Sequence, residues 1–337
     1  MSSLTGKSYP VIRTLNGKLT STPVTIPPLG PKDVLIRITH SGVCYTDYEY
    51  SRHGAALALG HEGVGVVEAV GDRVTTLAPG DRAGGGFHRD SCGACGYCLT
   101  GRDILCYDRV VVGEGDYDNG TFGAYYVGKE GFVHKIPEAL SSEDAAPLQC
   151  AGVTAYAALV GNVRPRDRVG VVGIGGLGHL AVQYAAKMGC EVVVFSSSKD
   201  KEAEARGYGA SEFVQLDEPE KVSAPVQVLL VSSANYPDWN KFAKKNVLAR
   251  DGIIVPFAAP THGPLTFPAH PFFWQVYHVH SSLVASKATH QDALEFAARH
   301  GIKPAVQLYE FKGPETVDRV FKDLKDNKLR YRAVLKF

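Results

Sequence analysis

Four cysteines fall within 15 residues, in the pattern Cys92-x2-Cys95-x2-Cys98-x7-Cys106, with Gly93 and Gly96 in the turns between them. Thiolates at this spacing can close a tetrahedron around zinc. Because protein fills all four positions, such a site is structural. The competing readings are chance clustering or disulfides. A disulfide framework belongs to small secreted chains, and this chain has 337 residues. A second set of zinc-type ligands is scattered: Cys44 in Ser41-Gly-Val-Cys-Tyr-Thr-Asp47, His61-Glu62 in Gly60-His-Glu-Gly63, and Cys150 in Leu148-Gln-Cys-Ala-Gly152. Two cysteines and one histidine make the ligand set of a catalytic zinc with its fourth position open. Such a zinc polarises a carbonyl or acidifies an alcohol, which assists hydride transfer. Taken singly, each of these residues also reads as a core residue, a buried cysteine behaving as a small hydrophobe.

The third constellation is Gly173-Ile-Gly175-Gly176-Leu177-Gly178. It follows a short apolar run and opens a helical pattern, the context that makes such a run a dinucleotide fingerprint. Gly173 permits the tight turn, Gly175 admits a pyrophosphate at the helix N-terminus, and Gly178 lets helix and strand pack closely. The end of the following strand decides between NAD and NADP, because an acidic residue there repels a 2′-phosphate. Here the chain reads Phe195-Ser196-Ser197-Ser198-Lys199-Asp200-Lys201. Hydroxyls and amines at Ser196, Ser197 and Lys201 favour NADP(H), and Asp200 is late and flanked by lysines. The serines also suit the cap of the next helix, and both uses can coexist.

These groups need elements to position them. The region up to about 150 is rich in short strands and glycine turns, such as Val34–Ile38 and Val64–Val70. Beyond about 151, Val169–Val172, Glu191–Phe195, Val226–Val231 and Ile253–Phe257 alternate with helical patterns. That alternation predicts an α/β doubly wound parallel sheet. Helices are expected at 288–300 and 314–325, and a closing strand at 332–337. A formal charge of +1, from 36 basic and 35 acidic residues, favours neither nucleic acid nor a charged membrane as partner. No signal peptide or apolar span stands out, so a reducing cytoplasm is expected, where seven cysteines serve as thiolates.

With the motifs in hand, the chain resembles a zinc-dependent alcohol dehydrogenase of the medium-chain dehydrogenase/reductase family, most of all its cinnamyl-alcohol-dehydrogenase-like, NADP-dependent branch. The likeness runs from about residue 30 to the end. It is carried by Gly-Val-Cys-x-Thr-Asp at 42–47, Gly-His-Glu at 60–62, Pro-Gly-Asp-Arg at 79–82 and Ser-Cys-Gly-x-Cys-x-x-Cys at 91–98. Cys-Ala-Gly-Val-Thr at 150–154, Gly-Gly-Leu-Gly-His at 175–179 and Leu-Arg-Tyr-Arg-Ala-Val at 329–334 extend it.

The resemblance implies a discontinuous, strand-rich GroES-like catalytic domain over 1–152 and 288–337, with a Rossmann domain inserted at 153–287 and the active site in the cleft between them. It implies that Cys44, His61 and Cys150 bind the catalytic zinc, with Glu62 beside it as a transient ligand. Asp47 would orient His61, Thr46 would exchange a proton with the substrate oxygen, Thr154 would lie against the nicotinamide, and Arg332 would pair with the cofactor phosphates. Cys92, Cys95, Cys98 and Cys106 would hold the structural zinc, leaving Cys190 as a core thiol. A small aldehyde or alcohol is the expected substrate and a homodimer or homotetramer the expected assembly.

Two departures stand out. The family's proton relay usually continues to a histidine where this chain has Glu49, and the segment between Cys44 and His61 is short, leaving His53 as a candidate substitute. Tyr45, Tyr48, Phe87, Phe122 and residues near Trp274 are expected to line the cleft, pointing to an aryl or extended apolar aldehyde. Glu49 keeps open a reductase of an activated C=C or C=N bond, for which the relay is dispensable. A non-enzymatic NADPH-binding protein that keeps both zincs for stability is the other alternative.

Overall fold

A computed structural model describes residues 4–52, 56–259 and 264–337. The chain divides into two compact units, one comprising Met1–Val153, Ala285–Arg299 and Lys303–Phe337, the other Thr154–Val284 and His300–Ile302.

In the first unit the strand Asp33–Val43 is the organiser. Val34, Leu35, Ile36 and Ile38 are all buried, because partners cover both of its faces. It pairs antiparallel with Glu62–Val70, Tyr125–Lys129 and Arg332–Lys336. The sheet order is Val306–Glu310, Arg332–Lys336, Asp33–Val43, Glu62–Val70, Arg82–Gly86 and His134–Lys135. Register does the positioning. Ser41 faces Gly63 on one side, and Val43 faces Ala333 on the other. Continued to the strand ends, these registers bring Cys44, His61, Glu62 and Arg332 to one end of the sheet.

The helix Pro314–Lys325 lays Val317, Val320 and Phe321 against Ile12, Val43, Leu59 and Phe122. Removing such fully buried side chains typically costs about 2–5 kcal/mol each. Phe122 belongs to this core, fully buried, and is no substrate wall.

The second unit is a six-stranded parallel sheet in the order Glu212–Gln215, Glu191–Ser196, Arg168–Val172, Val226–Val231, Leu248–Pro256, His278–Val279. The strand order reverses direction at Arg168–Val172, the switch point at which such sheets bind nucleotides. Four strands match the expected apolar runs. Glu212–Gln215 and His278–Val279 are additional: the first buries only Val214 and the second buries neither residue. Buried Arg168 ties three strands together by ion pairs to Glu191 and Glu212. The α/β fold class is as expected. Among the described residues no helix is long and apolar enough to cross a membrane.

Besides His61, the described residues of the first unit bury three histidines, His88, His134 and His290. The rings of His134 and His290 stack 3.7 Å apart at 12°, and His88 sits edge-on to Phe132 at 4.6 Å. Burial lowers the pKa of all three, that of His134 to about 3. A histidine lowered in the folded state binds its proton only on unfolding. Its stabilising contribution is therefore complete above the unfolded pKa of about 6.5 and is lost as pH falls towards the folded value. For His134 this should cost about 2 kcal/mol between pH 7 and pH 5. His134→Leu should lose about that much less than wild type in urea titrations at the two pH values. Equal losses would show that His134 is not held neutral.

Candidate functional site

Cys44 stands between the strand Asp33–Val43 and the helix Tyr45–Arg52. Asp47, in the first turn of that helix, reaches back so that its Oδ2 accepts the Cys44 amide N–H at 3.0 Å, as in a capping box. Its Oδ1 accepts the Gly60 amide N–H at 3.0 Å and lies 2.9 Å from His61 Nδ1. One buried carboxylate thus joins both ligand-bearing segments. An ionised carboxylate only accepts, so Nδ1 carries a proton and Nε2 is the ring nitrogen left to face a metal. That Nε2 is buried without a hydrogen-bond partner. Cys150 arrives on a wide π-type turn, Leu148–Gly152, all five residues buried, after a helix whose N-cap Ser141 accepts the Asp144 amide N–H at 3.1 Å.

One ligand atom each from Cys44, His61, Glu62 and Cys150 lies within 4.8 Å of the others. An unsatisfied imidazole nitrogen facing two thiols fits a borderline-soft dication such as zinc. Cys44 is held well below its ordinary pKa, first by the hydrogen bond from Cys150 and then, against burial, by His61 and Arg332. Burial works to lower the His61 pKa, yet the Asp47 carboxylate and Cys44 raise it overall.

Glu62 is fully buried and paired to Arg332, whose Nη2 donates to Oε1 at 2.5 Å and Oε2 at 2.7 Å. Burial raises the Glu62 pKa to about 7 against the pull of Arg332. Gly42 makes room for it, since a Cβ there would lie 1.9 Å from Glu62 Oε2. Arg332, expected at the cofactor phosphates, is thus engaged beside the metal ligands, with its Nε buried and without a hydrogen-bond partner.

In the four-cysteine lobe the sulfurs of Cys92 and Cys98, Cys95 and Cys98, and Cys106 and Cys92 are 3.9, 3.6 and 3.5 Å apart. A disulfide would need about 2.05 Å. A tetrahedron with Zn–S bonds of about 2.3 Å has edges of about 3.8 Å, which these separations match. None of the seven cysteines is in a disulfide.

The nucleotide loop leaves the strand Arg168–Val172. Gly173 has φ +87°, open to glycine without strain. A Cβ at Gly178 would sit 2.0 Å from the Gly173 carbonyl oxygen, so helix and strand approach as closely as the motif requires. A Cβ at Gly175 would meet no protein atom within 4 Å. The protein's own packing does not demand that glycine, and the space left there suits a pyrophosphate. Gly176 and Leu177 lead into the helix Gly178–Lys187.

Lys201 Nζ donates to the Ile174 carbonyl at 3.2 Å, so its charge stands at the loop. Ser196 Oγ accepts the Ser198 amide N–H at 3.2 Å, while Ser197 is exposed. No serine side chain caps the short helix that follows. Two side chains with no role assigned from sequence support the loop: His179, last residue of the Gly-Gly-Leu-Gly-His match, whose Nδ1 lies 2.8 Å from the Gly175 carbonyl oxygen, and Ser232, whose Oγ donates to the carbonyls of Val172 and Gly173 at 2.9 and 2.8 Å. Only the adjacency of His179 to the motif could have signalled the first.

Residues 30–138 match the family described as the alcohol dehydrogenase GroES-like domain, and residues 176–299 the family described as zinc-binding dehydrogenase. The chain is 38% identical over 323 residues to the probable formaldehyde dehydrogenase AdhA of Bacillus subtilis (strain 168), covering 91% of this chain and 90% of that one. It belongs to the zinc-binding alcohol dehydrogenases. It is also 32% identical to NADP-dependent alcohol dehydrogenase C 1 of Mycolicibacterium smegmatis, over 94% of each chain. A cinnamyl alcohol dehydrogenase of Sorghum bicolor superposes with a TM-score of 0.89 at 31% identity, over 98% of each chain.

For an alcohol dehydrogenase the surroundings of the ligands matter next. Thr46 is half-buried in the helix that follows Cys44. Glu49, one turn on, is half-buried and accepts from the Tyr45 hydroxyl, whose pKa is raised by burial and by that carboxylate. Phe87 meets the His61 ring edge-on at 5.6 Å. Tyr48 leans on Phe321 at 5.7 Å and carries the Arg52 guanidinium over its face at 5.5 Å. Trp274 is 63% exposed, in the second unit. His53 lies outside the described residues. Thr154 is buried in the first turn of the helix Val153–Leu159. Cys190 is half-exposed, with its Sγ donating to the Arg164 carbonyl at 3.5 Å, and so is less than a core thiol.

Proposed function

We propose that this dehydrogenase is a zinc-dependent, NADP(H)-preferring alcohol dehydrogenase or aldehyde reductase acting on aryl or extended apolar aldehydes and alcohols. The observation that carries the reading is His61 Nε2, buried and unsatisfied, facing two thiols while Asp47 fixes its tautomer. Cys44, His61 and Cys150 would hold a zinc, and a zinc bound there would supply a Lewis acid for a carbonyl or alcohol oxygen. Arg332 keeps Glu62 close by, as a transient fourth ligand. Thr46 exchanges the proton with the substrate oxygen. The loop Gly173–Gly178 cradles the pyrophosphate, Thr154 supports the nicotinamide, and the donors of Arg332 that Glu62 leaves free meet the phosphates. Cysteines outside disulfides suit the cytoplasm. The exposed edge strand His278–Val279 suits a homodimer.

Elemental analysis should find two zinc ions per chain, and one or none in a metal-replete preparation would contradict the reading. NADPH should be preferred through Ser196, Ser197 and Lys201. A charge-assisted hydrogen bond contributes about 1.5–3 kcal/mol, so two give about two to four decades of discrimination. Ser196→Asp should move the ratio of kcat/KM values towards NADH. Equal efficiency of the unmodified enzyme with both cofactors would rule out the proposed basis of selection.

A further inference from the structure

The metal ligand most remote in sequence from the others is Cys150, and it is held from an unexpected direction. Gln149, immediately before it, is 1% exposed. A buried primary amide without partners is costly, yet both ends of this one are satisfied. Its Nε2 donates to the Ala145 carbonyl at 3.1 Å, and its Oε1 lies 3.1 Å from His290 Nε2. Because the amide oxygen can only accept, His290 must carry its proton on Nε2. Burial, with His134 and His88 nearby, keeps His290 neutral. The His134 ring stacked on it at 3.7 Å locks the imidazole plane. His290 stands on the helix Lys287–His300, 141 positions away in sequence. A second tie near that helix's start runs from the Lys287 amide N–H to Asp103 Oδ2 at 3.1 Å, in the stretch between Cys98 and Cys106.

A π-type turn is rare and occurs mostly as a single turn at functional sites. Leu148–Gly152 is such a turn. Through Gln149 it is anchored at the adjacent residue to a ring that cannot rotate. Gly84 leaves the space this needs, since a Cβ there would come within 2.9 Å of the Gln149 side-chain carbon.

We propose that Gln149 and His290 are positioning residues for the metal, acting through Cys150. The hydrogen bond between them sets where the Cys150 thiolate stands and so how slowly the catalytic zinc leaves. This rests on the reading of Cys44, His61 and Cys150 as zinc ligands.

The test is chelator-driven zinc release from the purified two-zinc protein, followed as two kinetic phases, for wild type, Gln149→Leu, His290→Phe and His290→Gln. Residues that orient metal ligands typically cost about 10–100-fold in metal affinity when changed. Gln149→Leu and His290→Phe should each speed the catalytic phase at least about tenfold while leaving the four-cysteine phase unchanged. Combined, they should do little more than either alone, because they break one bond. His290→Gln, which returns an N–H donor, should restore much of the slow release. The thiolate bands of the cobalt-substituted protein should shift in the first two variants and return in the third.

Release within about twofold of wild type in Gln149→Leu or His290→Phe would overturn the proposal. So would equal acceleration of both phases, or failure of both variants to fold, since either means general support of the fold. A wild-type protein with no catalytic-phase zinc would instead sink the underlying ligand assignment, which separates the two failures.

Discussion

Cys150→Ser should abolish turnover and spare the fold, whereas Cys95→Ser should leave little folded protein. The two residues have the same chemistry but opposite settings. Cys150 is buried among residues that pack without it: Leu148, Ala151 and Val153 are fully buried around the turn, and Gln149 is hydrogen-bonded at both ends. Losing one thiolate there leaves Cys44 and His61, a ligand pair too sparse to hold zinc in an open site. Cys95 sits on the thinly packed side of its lobe, away from the Asp103 tie to the helix Lys287–His300. Leu99 and Tyr107 are 74% and 92% exposed. Its folding energy therefore comes from the metal, and structural zinc contributes about 10–16 kcal/mol in zinc-finger peptides. Circular dichroism and soluble yield, measured beside kcat and zinc content, distinguish the two outcomes. If both variants lose only activity, the structural and catalytic roles have been assigned wrongly.

Thr46→Val should lower kcat/KM by about 10²–10⁴-fold with both zincs retained, because it removes the group that transfers the proton. Glu49→Gln should cost about tenfold or less, as a terminal step that water can replace. The hydrogen bond from Tyr45 to Glu49 bears on this, because it commits part of the carboxylate to a neighbour on the same helix. Glu49→His should be tolerated and should raise the rate near neutral pH, where histidine titrates. The measurement is kcat/KM for the three variants on one aldehyde across pH. A Glu49→Gln loss as large as that of Thr46→Val would make Glu49 a required base in a rebuilt relay.

The motif residues were legible because their chemistry restricts which types can stand there. A four-cysteine spacing and a glycine fingerprint between strand and helix are local signals, and the geometry of both fits that reading. What was not legible comes from pairings that only the folded sheet creates. Glu62 and Arg332 are 270 positions apart and meet because both neighbour the end of the strand Asp33–Val43. Gln149 and His290 carry no motif, and their bond appears only once the helix Lys287–His300 packs beside the π-type turn. Phe122 was misplaced because an aromatic residue type does not reveal which face it occupies, and it lies in the core. The strands Glu212–Gln215 and His278–Val279 are too short and too polar to show an apolar run.

The central claim is hydride transfer to a carbonyl carbon, and cinnamaldehyde tests it because it offers both a carbonyl and an activated C=C bond. With NADPH deuterated at C4, the product is identified by mass spectrometry and the label located by NMR. The account predicts cinnamyl alcohol with deuterium on the carbinol carbon. A saturated aldehyde labelled at its β-carbon, or NADPH binding without turnover across aldehydes, would contradict it.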